Sequence, residues 1–181
     1  MRKGNQFLRN FLVIIIAAVA LTACQNWNLR RNTETTSDYS IYVDDRVGIV
    51  SDTTEKLVYD ANAELENDYS GAQIVVAVVK TTGGESIRNY AKSLFNEKGI
   101  GSSAYNNGLL LLIATEDDDY WVTNGSGFSD LFAGELAVIL NDYMEPEFAK
   151  GNYDESIQTV IPALVNAVKE AGSSWYTGSS D

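Results

Sequence analysis

The stretch Gln73-Ile74-Val75-Val76-Ala77-Val78-Val79-Lys80 decides the fold. It is apolar on both faces and rich in β-branched residues, so it reads as a central strand covered by helices on each side. Downstream, Ile87, Tyr90, Ala91, Leu94 and Phe95 recur at helical spacing and Gly99 supplies a stop. Gly108 to Ala114 (GLLLLIA) is a second all-apolar strand. Strand, helix, strand in that order predicts a parallel crossover. After the acidic turn Glu116 to Asp119, Tyr120 to Asn124 (YWVTN) completes a hairpin and makes the sheet mixed.

Upstream, Asp52 and Glu55 have capping-box spacing, and Leu57, Val58, Ala61, Leu65 and Tyr69 follow at helical spacing until Gly71. Further helices are expected from Asp130 to Asp142 and from Asp154 to Ala171, the latter with Pro162 inside it as a source of a kink. The last ten residues, 172–181 (GSSWYTGSSD), read as a loose tail. The expected fold is α/β: a three-layer α/β/α sandwich with a small mixed β-sheet, occupying residues 41–171.

The chain of 181 residues holds 13 Lys and Arg, 25 Asp and Glu, no His and one Cys. Without histidine there is no Ser-His-Asp or Cys-His unit and no His-ligated zinc. One cysteine excludes an internal disulfide or a cysteine-cluster metal site. A formal charge of −12 repels a phosphate backbone, so no nucleic acid is expected as a partner.

The first segment accounts for the cysteine. Arg2, Lys3 and Arg9 precede the apolar run Phe11 to Leu21, whose eleven residues rise about 17 Å as a helix against a hydrocarbon core of about 30 Å. A positive start, a short apolar middle and small residues before a cut site read as a signal peptide over residues 1–23. Leu21-Thr22-Ala23-Cys24 resembles the lipobox of bacterial lipoproteins, which implies diacylglycerol on the Cys24 thiol and acylation, palmitate for example, of its amino group. Cleavage before Cys24 removes three of the 13 basic side chains and none of the acidic ones, taking the formal charge to −15. Residues 24–40 then form a polar tether, and the expected location is the extracytoplasmic face of a bacterial membrane or envelope.

Six strings follow one another in the body of the chain: Val43 to Ser51 (VDDRVGIVS), Gly71 to Val76 (GAQIVV), Gly99-Ile100-Gly101, Asn106 to Leu112 (NNGLLLL), Asn124 to Gly127 (NGSG) and Pro146 to Tyr153 (PEFAKGNY). In order and spacing they resemble the TPM domain family, over about residues 41 to 170. The resemblance implies an α/β/α sandwich on a membrane-tethered protein. Some members bind divalent cations such as calcium, some act as acid phosphatases, and plant members assist photosystem repair. Where members commonly carry Asp-Arg after the strand matching Leu109 to Ala114, this chain has Asp117-Asp118-Asp119-Tyr120-Trp121, and Phe128-Ser129 replaces a frequent Leu-Glu. Loss of that arginine removes a bidentate phosphate partner and counts against phosphatase activity.

Asp44-Asp45, Asn106-Asn107 and Asp117 to Asp119 fall in expected loops, and calcium takes six to eight oxygen ligands from such groups. The expected metal ligands are Asp44, Asp45, Asn107, Asp117 and Asp118, brought together at strand ends, with Asp45 on the family's aspartate. The bland alternative is a solvated turn at 117–119 and a surface charge at Asp44. Gly99 to Ala104 fits G-x-G-x-x-A but follows a helix, so it reads as a stop and turn. Gly125-Ser126-Gly127 reads as a turn into the next helix, and Tyr120 and Trp121 as hairpin packing. Three functions stand: a lipid-anchored, cation-binding module for envelope-protein assembly or interaction, a metal-dependent acid phosphatase, and a structural envelope protein without ligand.

Overall fold

A computed structural model describes residues 38–128, 132 and 134–177. Signal segment, lipobox and most of the tether lie outside the described residues. Four strands form one sheet in the order β1 (Val43–Asp45), β2 (Gln73–Val79), β3 (Gly108–Ala114), β4 (Asp119–Asn124). The first three are parallel, with Val43 opposite Val76 and Gln73 opposite Gly108, while β4 returns antiparallel with Leu109 opposite Asn124. A 3-10 turn at Tyr39–Tyr42 leads into β1.

Between the strands lie α1 (Asp52–Asp68) and α2 (Ile87–Lys98). Ser51 caps α1 by accepting from the Thr54 N–H, one residue before the Asp52 start expected from the capping-box spacing. Gly99 ends α2 in the left-handed conformation that a residue without Cβ adopts at least cost. After β4 come α3 (Glu135–Ile139), a π turn (Leu140–Met144), α4 (Glu145–Phe148) and α5 (Tyr153–Thr177).

The helix expected over 130–142 therefore departs from its sequence reading. It opens only at Glu135, because Gly134 at φ +89° breaks any run from upstream; Ser129 to Leu131 and Ala133 are outside the described residues. Its end is a π turn in which the Glu145 N–H reaches Leu140 O, five residues back. Pro146 has no N–H and its ring crowds the carbonyl of Asp142, so a regular α turn is disfavoured there. The helix expected to stop at Ala171 continues to Thr177, into the segment read as tail: once nucleated, a helix propagates at little cost per residue. Pro162 sits within α5 on its exposed side and does not interrupt it.

The β2 and β3 side chains divide between two cores. Ile74, Val76, Val78, Leu109, Leu111 and Ile113 face α1 and α5, packing with Val58, Leu65, Ile157, Ile161 and Leu164. Val75, Ala77, Val79, Leu110, Leu112 and Ala114 face α2 and pack with Ala91, Leu94 and Ile100. Both faces of the sheet are thus covered, which is why the strands read as unbroken apolar runs, and the three-layer sandwich is as expected. Buried Asn62 fastens α1 to β2 by accepting from the Ile74 N–H and donating to the Ile74 carbonyl, each at 2.8 Å.

Candidate functional site

The carboxyl ends of β1, β2 and β3 open onto one rim of the sandwich, where the N-termini of α1, α2 and α5 also arrive. Crevices outside strand carboxyl ends are the usual ligand sites of such sheets. Asp45 ends β1 there. Its Oδ1 accepts the Val47 and Gly48 N–H at 2.9 and 2.8 Å, and its Oδ2 accepts the Ile49 and Val50 N–H, both at 2.7 Å. Four donors fold residues 46–50 around one carboxylate, and Gly48 at φ +82° permits the bend. The carboxylate is oriented by backbone N–H groups before any ligand arrives.

Asp44 precedes it on the strand and so points to the opposite face. Arg46 donates to both of its oxygens and Lys98 meets Oδ2 at 2.8 Å. The Arg46 hydrogen bond above all, then Lys98, holds the Asp44 carboxyl at about 2 against the opposing effect of burial. Asp44 is thus the neutralised centre of an ion-pair trio beside α2 and is turned away from the Asp45 side.

Across the rim, Asp117 in the β3–β4 turn accepts from the Thr81 hydroxyl at 2.7 Å and from the Thr82 N–H at 2.7 Å. These bonds, the Thr82 N–H foremost, lower its carboxyl from the usual value. Asp118 is exposed at the turn tip with φ +51°. Asn107 does not join this group. It precedes β3 at the other end of the sheet, separated by seven strand residues or about 23 Å. Fully buried, it accepts from the Ser102 N–H at 2.9 Å and donates to the Tyr69 and Ser70 carbonyls at 3.3 and 3.2 Å. Its place in a cation ligand set is corrected to a structural one: an amide in this spot ties three loops. No group of three or more His, Cys, Asp or Glu close enough to share a metal ion occurs among the described residues.

The sequence reading missed Asp154. Its Oδ1 accepts the Ser51 N–H at 3.1 Å, and its Oδ2 accepts from Gln158 at 3.0 Å. Burial works to raise the Asp154 carboxyl, and hydrogen bonds from Thr54, Ser51 and Gln158 overcome it to hold the group below the ordinary aspartate value. Its neighbour Tyr153 donates to the Thr115 carbonyl at 3.2 Å, joining α5 to the β3–β4 turn. In sequence an aspartate in the first turn of a helix is indistinguishable from an ordinary dipole-matching residue. The rim therefore carries Asp45, Asp117 and Asp154, each pre-oriented by N–H or O–H donors and none ion-paired with a described residue.

Gly125 and Gly127, expected as a turn, do more. A Cβ on Gly125 would lie 2.0 Å from the Asn106 carbonyl oxygen, and one on Gly127 2.1 Å from that of Tyr105. The glycines let the chain after β4 lie directly on the 105–108 backbone, with the Gly125 N–H on Gly108 O and the Gly127 N–H on Asn106 O. Trp121, expected as packing, also carries the Arg88 guanidinium over its ring at 4.4 Å.

No curated protein matches the chain in sequence. Among solved structures, the N-terminal domain of a protein from P. gingivalis superposes with a TM-score of 0.64 at 23% identity, covering 75% of this chain and 86% of that one. The BA42 protein from the psychrophilic bacterium Bizionia argentinensis gives 0.58 at 20% identity, covering 70% and 86%. The N-terminal domain of the cg2496 protein from Corynebacterium glutamicum gives 0.56 at 15%, covering 75% and 84%. At these identities the likeness establishes a shared fold. The sequence profile of the TPM domain matches residues 43–167, and the chain belongs to the TPM domain family.

Proposed function

We propose that this protein is a lipid-anchored module on the extracytoplasmic face of a bacterial membrane, serving envelope-protein assembly or interaction, and that its acidic rim takes a divalent cation. The observation that carries the cation reading is Asp45. Four N–H donors orient its carboxylate at a strand end, and Asp117 and Asp154 are oriented on the same rim by donors of their own. The four N–H donors take up the four acceptor sites of Asp45, so Asp45 offers a cation its charge, while Asp117 Oδ1 accepts a single hydrogen bond and keeps lone-pair capacity. No three carboxylates among the described residues are close enough to share one ion, and a hard cation with irregular coordination would complete its shell with backbone oxygens and water. Calcium is the cation of choice on that chemistry. The anchor reading rests on Leu21-Thr22-Ala23-Cys24 behind its apolar run.

Binding is favoured over phosphoryl chemistry because the guanidinium nearest β1, Arg46, is bound to Asp44 on the opposite face, and the hairpin turn offers Asp117, Asp118 and Asp119. A phosphate monoester approaching this rim meets carboxylates.

Calcium titration followed by thermal melting tests the cation. A tenfold excess over Kd raises stability by about 1.4 kcal/mol, and the Asp45→Asn variant shows a smaller calcium-dependent increment whatever its own melting point. No increment with calcium, magnesium or manganese overturns cation binding. Turnover of a phosphate monoester that is lost in Asp45→Asn establishes the phosphatase instead. For the anchor, Cys24→Ser abolishes incorporation of labelled fatty acid; equal labelling of variant and parent overturns it.

A further inference from the structure

Charge is divided unequally between the two helical layers. Residues 80–98, which include α2, carry four basic and two acidic side chains. By contrast α1 carries six acidic and one basic, and residues 135–177 seven acidic and two basic. In so acidic a chain most cations find an anion: Lys56 pairs with Asp60, Lys150 with Glu147, Lys169 with Glu64, and Arg46 and Lys98 both with Asp44. Arg88 and Lys92 form no ion pair with any described residue. They stand one turn apart on α2, a spacing that puts both on one face of the helix.

That face borders a groove of about 530 Å³ between α2 and β4. Phe95 and Trp121, both half-buried, give it an apolar side, and Asn96 and Asn124 supply amides that donate as well as accept. Arg88 lies over the Trp121 ring, which fixes the guanidinium at the groove and at the same time occupies the ring face that a sugar would need for stacking. We propose that this groove binds an extended peptide segment bearing acidic side chains. The carboxylates meet Arg88, held on the Trp121 ring, and Lys92, the alternate apolar side chains meet Phe95, and the amides of Asn96 and Asn124 serve the peptide backbone. Complementary charge draws such a segment to this layer and repels it from the α1 and α5 layer. Groove and rim are separate: the groove is built on the α2 face, and Asp45 faces the other way, so the proposal stands without cation binding.

Fluorescence anisotropy with the full chain in mild detergent tests it, using a labelled octapeptide of alternating Glu and Val, the same peptide with Lys for Glu, and phosphatidylglycerol vesicles. No cation is added. The Glu-Val peptide binds and the Lys-Val peptide does not. Arg88→Glu with Lys92→Glu, both at exposed positions and checked for fold by circular dichroism, weakens binding by about tenfold or more. Lys56→Glu with Lys150→Glu makes the same change in net charge elsewhere and weakens it by less than about twofold. Equal loss in the two double variants reduces the effect to net charge and overturns the groove. Failure of the parent to prefer Glu-Val over Lys-Val overturns it as well. If vesicles bind in a manner that depends on Arg88 and Lys92 while the peptide is ignored, the face is a lipid-facing surface and the peptide proposal falls.

Discussion

The two ends of the sheet hold polar residues that look alike in sequence and do opposite work. At the amino end of β3, Asn107 is fully buried and spends its amide on three loops, among glycines packed against neighbouring backbone. At the carboxyl end of β1, Asp45 gathers its own next five residues and stays on an open rim. Pairs of adjacent polar residues, Asn106-Asn107 and Asp44-Asp45, announced both places. What separates them is the reach of the hydrogen bonds: distant segments in one case, the local chain in the other. The first is a weld and the second a shaped carboxylate.

The weld should fail hardest. Gly125→Ala places a Cβ within 2.0 Å of a backbone oxygen, and neither the 105–108 loop nor β4 can yield without loss of the Gly125 to Gly108 hydrogen bond. Overpacking against backbone costs about 3 kcal/mol here, a fall in melting temperature of about 10 °C. Melting within a degree of the parent would mean that this corner is not a weld. Asn107→Ala comes next. It deletes three hydrogen bonds, leaving the half-buried Ser102 N–H without its acceptor while the Tyr69 carbonyl keeps the Ala72 N–H, and it empties the space of a fully buried amide, together worth about 2 kcal/mol. Retention of the Asp45-dependent calcium increment in Asn107→Ala would sharpen the contrast, since the residue belongs to stability alone.

Asp44 gives a pH-dependent test of the rim's other face. Its carboxyl falls from 3.8 to about 2 on folding, so its stabilising contribution is complete above the unfolded value and is lost as pH drops through the folded one. The group is three-quarters covered and its partners are partly exposed, which places the contribution at about 1 kcal/mol. The gap in melting temperature between parent and Asp44→Asn is therefore present at pH 6, narrows from pH 4 to 2 and closes below 2. A gap independent of pH would show that Asp44 acts by packing and not by charge.

Much of the fold was legible because its signals are local. The runs 73–80 and 108–114 needed only their own residues to declare buried strands, and Gly99 closed α2 as its position foretold. Helix endings around Gly134 and Thr177 were not, because a left-handed glycine and unforced propagation leave little mark on periodicity. The site divides in the same way. Asp44 and Asp45 were expected in a loop and instead close strand β1, too short a strand to show a pattern of its own, yet the partners of Asp45, all within five residues, were present in the string DDRVGIV. Asn107's partners lie up to 38 residues away, and the meeting of Arg88 with Trp121 depends on a crossover and a hairpin together. Charge type was readable; which charge would find a partner was a tertiary fact.

The smallest effect is expected at Asp117, and it isolates what a rim carboxylate does for its loop. Its oxygens hold the Thr81 hydroxyl and the Thr82 N–H, yet the group is fully exposed and water competes for every bond. Asp117→Asn keeps one acceptor oxygen and removes the charge. Exposed interactions of this kind contribute little to global stability, so the melting temperature should match the parent's. Local opening is a separate quantity, set by the hydrogen bonds of the loop alone, and it is read by amide exchange. The Thr82 amide should exchange faster in Asp117→Asn while amides in β2 and β3 keep their protection. Unchanged exchange at Thr82 would mean that this carboxylate does not shape the 81–85 loop, and the likeness drawn between Asp117 and Asp45 would end there.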